Sequence, residues 1–376
     1  MVNDPRKAKQ KTMSILQKKF FDLFPSSFGL DLSDLSIKAV WLDRTGNQDF
    51  IMSFGSVPLP MGSVADGEIM DPEAVKNAIV KLLQESGPKK IKTRKVICSL
   101  PETKAFLRII SLPVMEKSEV KEAIKWEIEA NIPLMLDQVY YDWQILDLNL
   151  DQKKEKMNVL VVAVARSSAD QFQAVLESAG LEVLGLETES IAQARSLLPE
   201  KDDKSTTLIV DIGDRRTSFF IAVGSMPCFT SSVPLSSQMI TDAIAKSFNI
   251  PFAEAEDIKI KQGLGSLAMK SQVLKAVSPV LENILTEIEK SMDFYLSNLR
   301  YSEKIDSIVL CGGGANMQGL LPYFSRCLGR PIEFGNPWVN VRLGQRLPII
   351  ERKRAVQYST AIGLALRGLD EYEDFT

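Results

Sequence analysis

The chemistry legible in this chain begins with aspartates at the ends of apolar runs. In LIVDIGDRRTSFFIAVG, Leu208 to Gly224, the run Leu208-Ile209-Val210 leads into Asp211. Gly213 follows two positions on, and Phe219 to Val223 return. β-Branched and aromatic residues on both sides of a short polar turn predict two buried strands joined by a hairpin. A strand-end carboxylate beside exposed turn N–H groups suits Mg²⁺ and phosphate. SSFGLDLSDLSIKAVWL, Ser26 to Leu42, repeats this grammar, with Asp31 at the strand end and Ile37 to Leu42 returning. Two such hairpins predict two related halves facing each other across a cleft. A third stretch, IDSIVLCGGGANMQGLLPYF (Ile305 to Phe324), reads as a buried strand, a triple-glycine loop and a helix. Gly312, Gly313 and Gly314 leave bare backbone against which a flat ring or a phosphate can lie. A lone D-x-G is as well read as an ordinary turn; the three loops together are specific.

Composition bounds what else the chain can be. At 376 residues it exceeds what one core usually supports, so two lobes are expected. A net charge of −3 speaks against a nucleic-acid partner. The absence of histidine removes His-based triads, His general bases and nearly all zinc chemistry. Cys98, Cys228, Cys311 and Cys327 show no C-x-x-C spacing and are expected to be buried free thiols in a reducing cytosol. No apolar run is long enough to span a bilayer, and no signal peptide opens the sequence.

The elements that must position these residues can be read in order. Arg6 to Phe24 mixes lysines with Leu16, Phe20, Leu23 and Phe24, which share one face of a helix. The expected amphipathic helix, Lys11 to Phe24, meets either anionic lipid or a partner, or packs on the body. Phe50 to Pro58 reads as a further strand. Asp71 to Gly87 reads as a helix with Asp71 as N-cap, Pro72 in the first turn and Gly87 as its stop. Lys95 to Leu100 is a buried strand. From Pro101 to Val164 the pattern becomes strand, helix (Ser118 to Asn131), strand and strand, a small inserted unit. Its aromatics Trp126, Tyr140, Tyr141 and Trp143 either form a partner surface or fill the unit's own core. Ser168 to Gly180 and Ser237 to Phe248 are helices, and Pro279 to Leu299 is a long core helix. Glu256 and Lys259 are helical neighbours. A last helix spans Tyr358 to Gly368, after which EYEDFT is expected to fray.

These blocks resemble the actin-like ATPase superfamily, with two phosphate hairpins and an adenosine loop of the form GGG-x-x-x-x-G. The closer resemblance is to the PilM family of type IV pilus assembly proteins, relatives of the division protein FtsA. It rests on GLDLSDLSIKAV, WEIEANIPLMLDQVYYDWQIL, CGGGANMQGL, PIEFGNPW and STAIGLALRG, spread from Phe28 to Gly368. The resemblance implies a two-lobe actin-like (ribonuclease H-like) α/β fold with a 1C insertion. The divisions implied are a basic segment 1–25, lobe I over 26–205 with 1C at 101–164, lobe II over 206–354 with 2B at 246–300, and a connecting helix with acidic tail over 355–376. ATP and Mg²⁺ are the implied ligands. Asp31 and Asp211 would hold Mg²⁺ through water. Turn backbones at Ser33 to Ser36 and at Gly213, Arg216 and Thr217 would face the phosphates, with Lys38 nearby. Glu256 and Lys259 would meet ribose and adenine beside Gly312, Gly313, Gly314 and Met317; the other reading of that pair is a surface ion pair. GLETESIAQA resembles the segment whose glutamate faces the attacking water, which points to Glu189, with Glu187 as competitor.

The implied role is a cytoplasmic ATP-binding scaffold, peripheral to the inner membrane, that binds a PilN-like N-terminal peptide and self-associates. The alternatives are a GspL-like secretion component, which is expected to continue into a transmembrane helix, and an FtsA-like division protein, which is expected to end in a membrane helix. A small-molecule kinase would need a second pocket with its own base, for which no motif is found. Two departures from the family pattern bear on turnover. Ser33 stands where a glycine lets backbone approach phosphate, and Asp34 adds a charge that would cost about 4 kcal/mol at ~4 Å in a medium of effective dielectric ~20. Asp214, Arg215 and Arg216 replace small residues at the second turn, where an arginine either grips phosphate or blocks it. ATP bound, with slow or absent hydrolysis, is the resulting expectation.

Overall fold

The computed structural model describes residues 27–132, 134–146, 156–200, 205–264, 270–299, 304–343 and 350–374; the amphipathic helix expected over Lys11 to Phe24 lies outside them. The chain enters as β1 (Phe28–Leu32), returns as β2 (Ser36–Thr45) and turns again into β3 (Gln48–Pro58). β1 and β2 pair antiparallel with Asp31 directly opposite Lys38. A small hairpin follows, β4 (Val64–Ala65) and β5 (Glu68–Ile69), whose two turn residues, Asp66 and Gly67, both have positive φ. Helix α1 (Pro72–Glu85) begins at Asp71, whose carboxylate accepts the Ala74 N–H, and lays Val75, Ile79 and Leu82 on the sheet. Gly87 does not stop it. The Ser86 hydroxyl donates to the Leu82 carbonyl and closes the last turn, which frees Gly87–Pro88 to add to β3 as β6.

β7 (Lys95–Leu100) runs parallel to β1 and leads into the inserted unit. That unit is β8 (Ala105–Pro113), α2 (Lys117–Asn131), β9 (Val139–Leu146) and β10 (Lys156–Ala165), with sheet order β8-β10-β9. Val120, Ile124 and Ile128, at i, i+4, i+8, pack on Val159 and Val161. The four aromatics divide between the unit's core and its surface. Tyr141 and Trp143 pack against this small core, while Trp126 is 73% and Tyr140 43% exposed.

Helix α3 (Arg166–Ser178) and β11 (Glu182–Thr188) complete the first sheet in the order β11-β7-β1-β2-β3-β6. Helix α4 (Glu189–Leu197) then leads to the second sheet. Its strands are β12 (Thr206–Ile212), β13 (Thr217–Val223), β14 (Met226–Val233), β15 (Ser307–Cys311) and β16 (Glu333–Phe334), in the order β14-β13-β12-β15-β16. The two sheets repeat one plan. An antiparallel hairpin, β1–β2 or β12–β13, has a later strand, β7 or β15, parallel to its first member.

The second sheet is covered by α5 (Ser237–Phe248), α6 (Phe252–Lys261), α7 (Lys270–Phe294) and α8 (Leu320–Leu328). Pro279 does not begin the long helix but lies inside it. Val273 and Val277 continue the stripe of Leu281, Ile284 and Ile288 into the same core, so packing carries the helix through the lost hydrogen bond. Cys98, Cys228 and Cys311 are buried as expected, but Cys327 is exposed in the last turn of α8, beyond buried Phe324. The last helix, α9, is longer than expected: it runs Ser359–Asp374 and takes in acidic residues of the end expected to fray. It packs on α4 and β1 so closely that a Cβ at Gly363 would overlap the Ala192 carbonyl.

Candidate functional site

One cavity opens between the two hairpins, and both strand-end aspartates line it. Each belongs to the first strand of its hairpin, where the pleat turns it towards the other half. Asp31 accepts from the Ser99 hydroxyl at 3.4 Å, and its Oδ2 lies 3.5 Å from Lys38 Nζ. The antiparallel register that sets these two residues opposite each other makes this contact automatic. Lys38 Nζ also donates to Ser36 Oγ at 3.0 Å. Burial alone would lower the Lys38 ammonium, but Asp31, Asp214 and Asp211 outweigh it and hold the pKa above its ordinary value.

Asp211 is held differently. Its Oδ2 accepts a short hydrogen bond from Gln193 Nε2 on α4, and the same amide donates to Thr360 Oγ1 on α9 at 3.1 Å. Gly312, at φ +82, leaves room for the other oxygen, since a Cβ there would overlap Asp211 Oδ1. Burial, with Asp31 and Asp214 nearby and only partly offset by Gln193 and Lys38, pushes the Asp211 carboxyl up to about 6.

The two turns differ from what their sequences suggest. The Ser33 N–H and hydroxyl both donate to the Ser36 carbonyl, at 3.1 and 2.9 Å, so the first turn closes on itself. Asp34 accepts the Gly67 and Asp66 N–H groups of the β4–β5 hairpin, at 3.1 and 3.3 Å, which ties this turn to that hairpin. In the second turn the Gly213 N–H donates to the Arg216 carbonyl at 2.9 Å, while the Gly213 carbonyl accepts from Ser237 N at 2.9 Å. Arg216 lines the cavity but leans on β14, donating to Ser232 Oγ at 3.0 Å, with Nη1 3.5 Å from Asp66 across the opening. Arg215 is exposed at the same wall. Thr217 is fully buried, and its hydroxyl donates to the Leu235 carbonyl at 2.7 Å.

Glu189, the first residue of α4, lines the cavity, and Glu187 does not. Glu187 is buried between Arg195 and Arg367, with an arginine Nη1 2.7 Å from each oxygen, an ion-pair network that ties β11 to α4 and α9. Glu189 is raised well above the usual carboxylate range by burial, then by Asp31, Glu102 and Asp211. Glu102, which belongs to no recognisable motif, is a second carboxylate in the same wall.

Glu256 and Lys259 lie on α6, where it meets α5. Lys259 is buried, donates to Ser237 Oγ at 2.7 Å and pairs with Glu256 at 2.8 Å; the Thr241 hydroxyl donates to Glu256 as well. Ser237 is the residue that donates to Gly213, so this pair is one hydrogen bond from the second turn. It does not line the cavity itself. Of the glycines, Gly312 and Gly313 line the cavity, with open space where a Gly313 Cβ would stand. Gly314 packs on Ile212, and Met317 is buried in the core of the second half.

The cavity wall carries six carboxylates (Asp31, Asp34, Glu102, Glu189, Asp211, Asp214) against three cations (Lys38, Arg215, Arg216). Burial raises Glu102 and Glu189, so the aspartates carry most of the negative charge, and a divalent cation between them and a polyphosphate would suit this donor set. Among the described residues no group of three acidic side chains converges closely enough to hold an ion directly. Two facing aspartates acting through water are compatible with that geometry, because Mg²⁺ keeps several of its waters.

The family model for "type IV pilus assembly protein PilM" matches residues 29–369. The chain belongs to the PilM family. Among solved structures it superposes on the PilM–PilN type IV pilus biogenesis complex with a TM-score of 0.76 at 28% identity, over 92% of this chain and 98% of that one. MreB5 of Spiroplasma citri bound to ADP superposes at 0.55 and 13% identity, over 93% of this chain and 98% of that one, a likeness of fold. The cell division protein FtsA of Pseudomonas aeruginosa is 26% identical over 247 residues, 60% of this chain. The chain spans 57% of the length of that FtsA. The fold is therefore actin-like, and the β8-α2-β9-β10 unit of this PilM chain is built between β7 and α3 of the first half. No helix among its described residues is long and apolar enough to cross a membrane. In this PilM chain Gln193 and Glu102 escaped the sequence reading because each acts on a residue far along the chain. Only their place beside Asp211 and Ser190 marks them.

Proposed function

We propose that this chain is an ATP-binding scaffold of the inner-membrane complex that assembles type IV pili. The observation that carries the reading is the pair Asp31 and Asp211, one from each hairpin, facing one acidic cavity with Lys38 between them. Asp31 and Asp211 would hold Mg²⁺ through water, and the ion would neutralise charge on the phosphates. The backbone of Ser33 to Ser36 and of Gly213 to Thr217 would border the phosphates, and Gly312 and Gly313 would offer bare backbone to the nucleoside. Glu256 and Lys259 would serve its ribose side, behind Ser237. Turnover is slow or absent in this reading, because the Ser33 side chain fills the first turn where backbone should close on phosphate, and phosphoryl transfer depends on positioning.

The partner proposed is the cytoplasmic N-terminal peptide of a PilN-like inner-membrane protein, bound between the insertion and the first half. A groove there is lined by Ile132, Leu134, Met135 and Tyr141, with Arg166 at its wall. Through that partner, or through the basic segment 1–25, the chain would sit at the cytoplasmic face of the inner membrane. Self-association belongs to the same reading. A thermal-shift measurement with and without Mg·ATP tests nucleotide binding, since a ligand of the folded state raises its stability by mass action. No shift at millimolar Mg·ATP sinks the nucleotide part. Calorimetric titration of the PilN peptide into the full chain and into Met135→Glu tests the partner, and equal affinity for the two moves the peptide elsewhere.

A further inference from the structure

The stem that carries the insertion is also a wall of the nucleotide cleft. Glu102 opens a single helical turn, Glu102–Lys104, immediately before β8, and is 9% exposed. Helix α4 makes no side-chain cap of its own, since Thr188 at the N-cap accepts no backbone N–H. Glu102 caps it instead: one carboxylate oxygen accepts the Ser190 N–H at 3.2 Å and the other the Ser190 hydroxyl at 3.1 Å. The contact is reciprocal, because the Glu102 backbone N–H donates to the Glu189 carboxylate. The Thr230 hydroxyl, on β14 of the second sheet, donates to Glu102 as well. One buried side chain therefore joins the insertion, the helix bearing Glu189 and the opposite half.

The rest of the stem is fastened to the cleft mouth. Lys104 pairs with Glu68 at 2.7 Å, and the Thr103 hydroxyl donates to the Asp66 carbonyl at 3.4 Å. Gly67 lies so near Pro101 that a Cβ would touch its ring. Asp66 and Gly67 are the residues that hold Asp34 of the first turn. A displacement of the insertion relative to α4 thus acts on Glu189 through one link and on the first turn through another.

We propose that Glu102 is a positioning residue for Glu189 and the phosphate end of the cleft, and that it couples Mg·ATP in the cleft to the position of the β8-α2-β9-β10 insertion. The inference rests on the nucleotide reading above and adds the route by which the occupied cleft and the insertion affect each other. Such coupling is reciprocal for binding equilibria and typically amounts to about 5-fold or more.

The test uses the full chain and two probes. Calorimetry gives the affinity for Mg·ATP, and amide hydrogen exchange reads β8 and α2 with and without saturating Mg·ATP. The expected result is about 5-fold slower exchange in the insertion on binding. Glu102→Ala should abolish that response while the protein still binds Mg·ATP. Glu102→Gln keeps an acceptor for the Ser190 N–H and should restore part of the response, which a loss of bulk stability would not. If Glu102→Ala does not fold, Ser190→Ala, which removes the hydroxyl partner, should weaken the response in the same direction. A wild-type chain that binds no Mg·ATP refutes the nucleotide reading itself. Binding without any change in β8 and α2, or an unchanged response in Glu102→Ala, overturns this inference alone.

Discussion

The two hairpins that border the cavity share a plan and differ in how they hold their charge. At β1–β2 the strand-end aspartate is met by a cation on the return strand, Lys38, and the turn is closed by Ser33 and Ser36. At β12–β13 the return strand places Ser218 opposite Asp211, so no cation stands there. A neutral amide from α4 serves instead, and the carboxyl rises to about 6. The first hairpin is electrostatically self-sufficient. The second depends on α4, α9 and whatever cation enters the cleft. Two halves with one topology thus divide the work, one supplying a paired charge and the other an underused one.

The sharpest way to break this asymmetry is to remove the first hairpin's cation. Lys38→Met leaves Asp31 buried beside Asp211 without compensation, and a broken buried pair costs about 3–5 kcal/mol. Chemical denaturation should show a loss of that size, and a loss below ~1 kcal/mol would show that Asp31 is solvated. Next in size is Gly312→Ala, which forces a left-handed backbone on alanine and drives its Cβ into Asp211. The expected cost is about 2–3 kcal/mol, from strain and displacement together, with Mg·ATP affinity falling as well.

Asp211→Asn should act in the opposite direction on stability. The folded carboxyl titrates near 6, above its value of 3.8 in the absence of these surroundings, so the folded state binds the extra proton between those pH values. Its charge therefore destabilises the fold above pH ~6, and this cost fades as pH falls towards 4. Asp211→Asn should gain on the order of 1–2 kcal/mol at pH 7.5 in the absence of nucleotide, shrinking towards zero near pH 4. A gain that persists unchanged at pH 4 would assign it to packing. The smallest effect belongs to Asp34→Ala. Losing the carboxylate that holds the Asp66 and Gly67 N–H groups should cost about 1 kcal/mol, because both groups are near water. Tighter Mg·ATP binding in this variant would return Asp34 to the repulsive role its charge suggests.

Much of this was legible beforehand, and the reasons divide cleanly. The hairpins, the glycine loop and the insertion are local patterns, and the alternation around Asp31 and Asp211 dictates strand ends whatever the tertiary context. Misreadings arose where the deciding partner is distant. The bond of Asp34 to the β4–β5 hairpin is one such contact, invisible in the sequence because Asp66 and Gly67 lie more than thirty residues away. Glu187 competes with Glu189 in the sequence until Arg195 and Arg367 claim it. Gln193 and Glu102 carry no motif. Pro279 inside its helix and Cys327 at the surface depart from expectation for the complementary reason, since packing rather than propensity decides both.

The central claim is that both aspartates serve one Mg²⁺-dependent nucleotide site, and calorimetric titration of ATP into the full chain tests it most directly. Run with excess Mg²⁺ and then with EDTA, the titration should show binding in the first case and its loss in the second, because without the ion the phosphates would face Asp31 and Asp211 directly. Equal binding in EDTA would mean that Lys38 and the two arginines hold the phosphates themselves, and no binding in either condition would contradict the account.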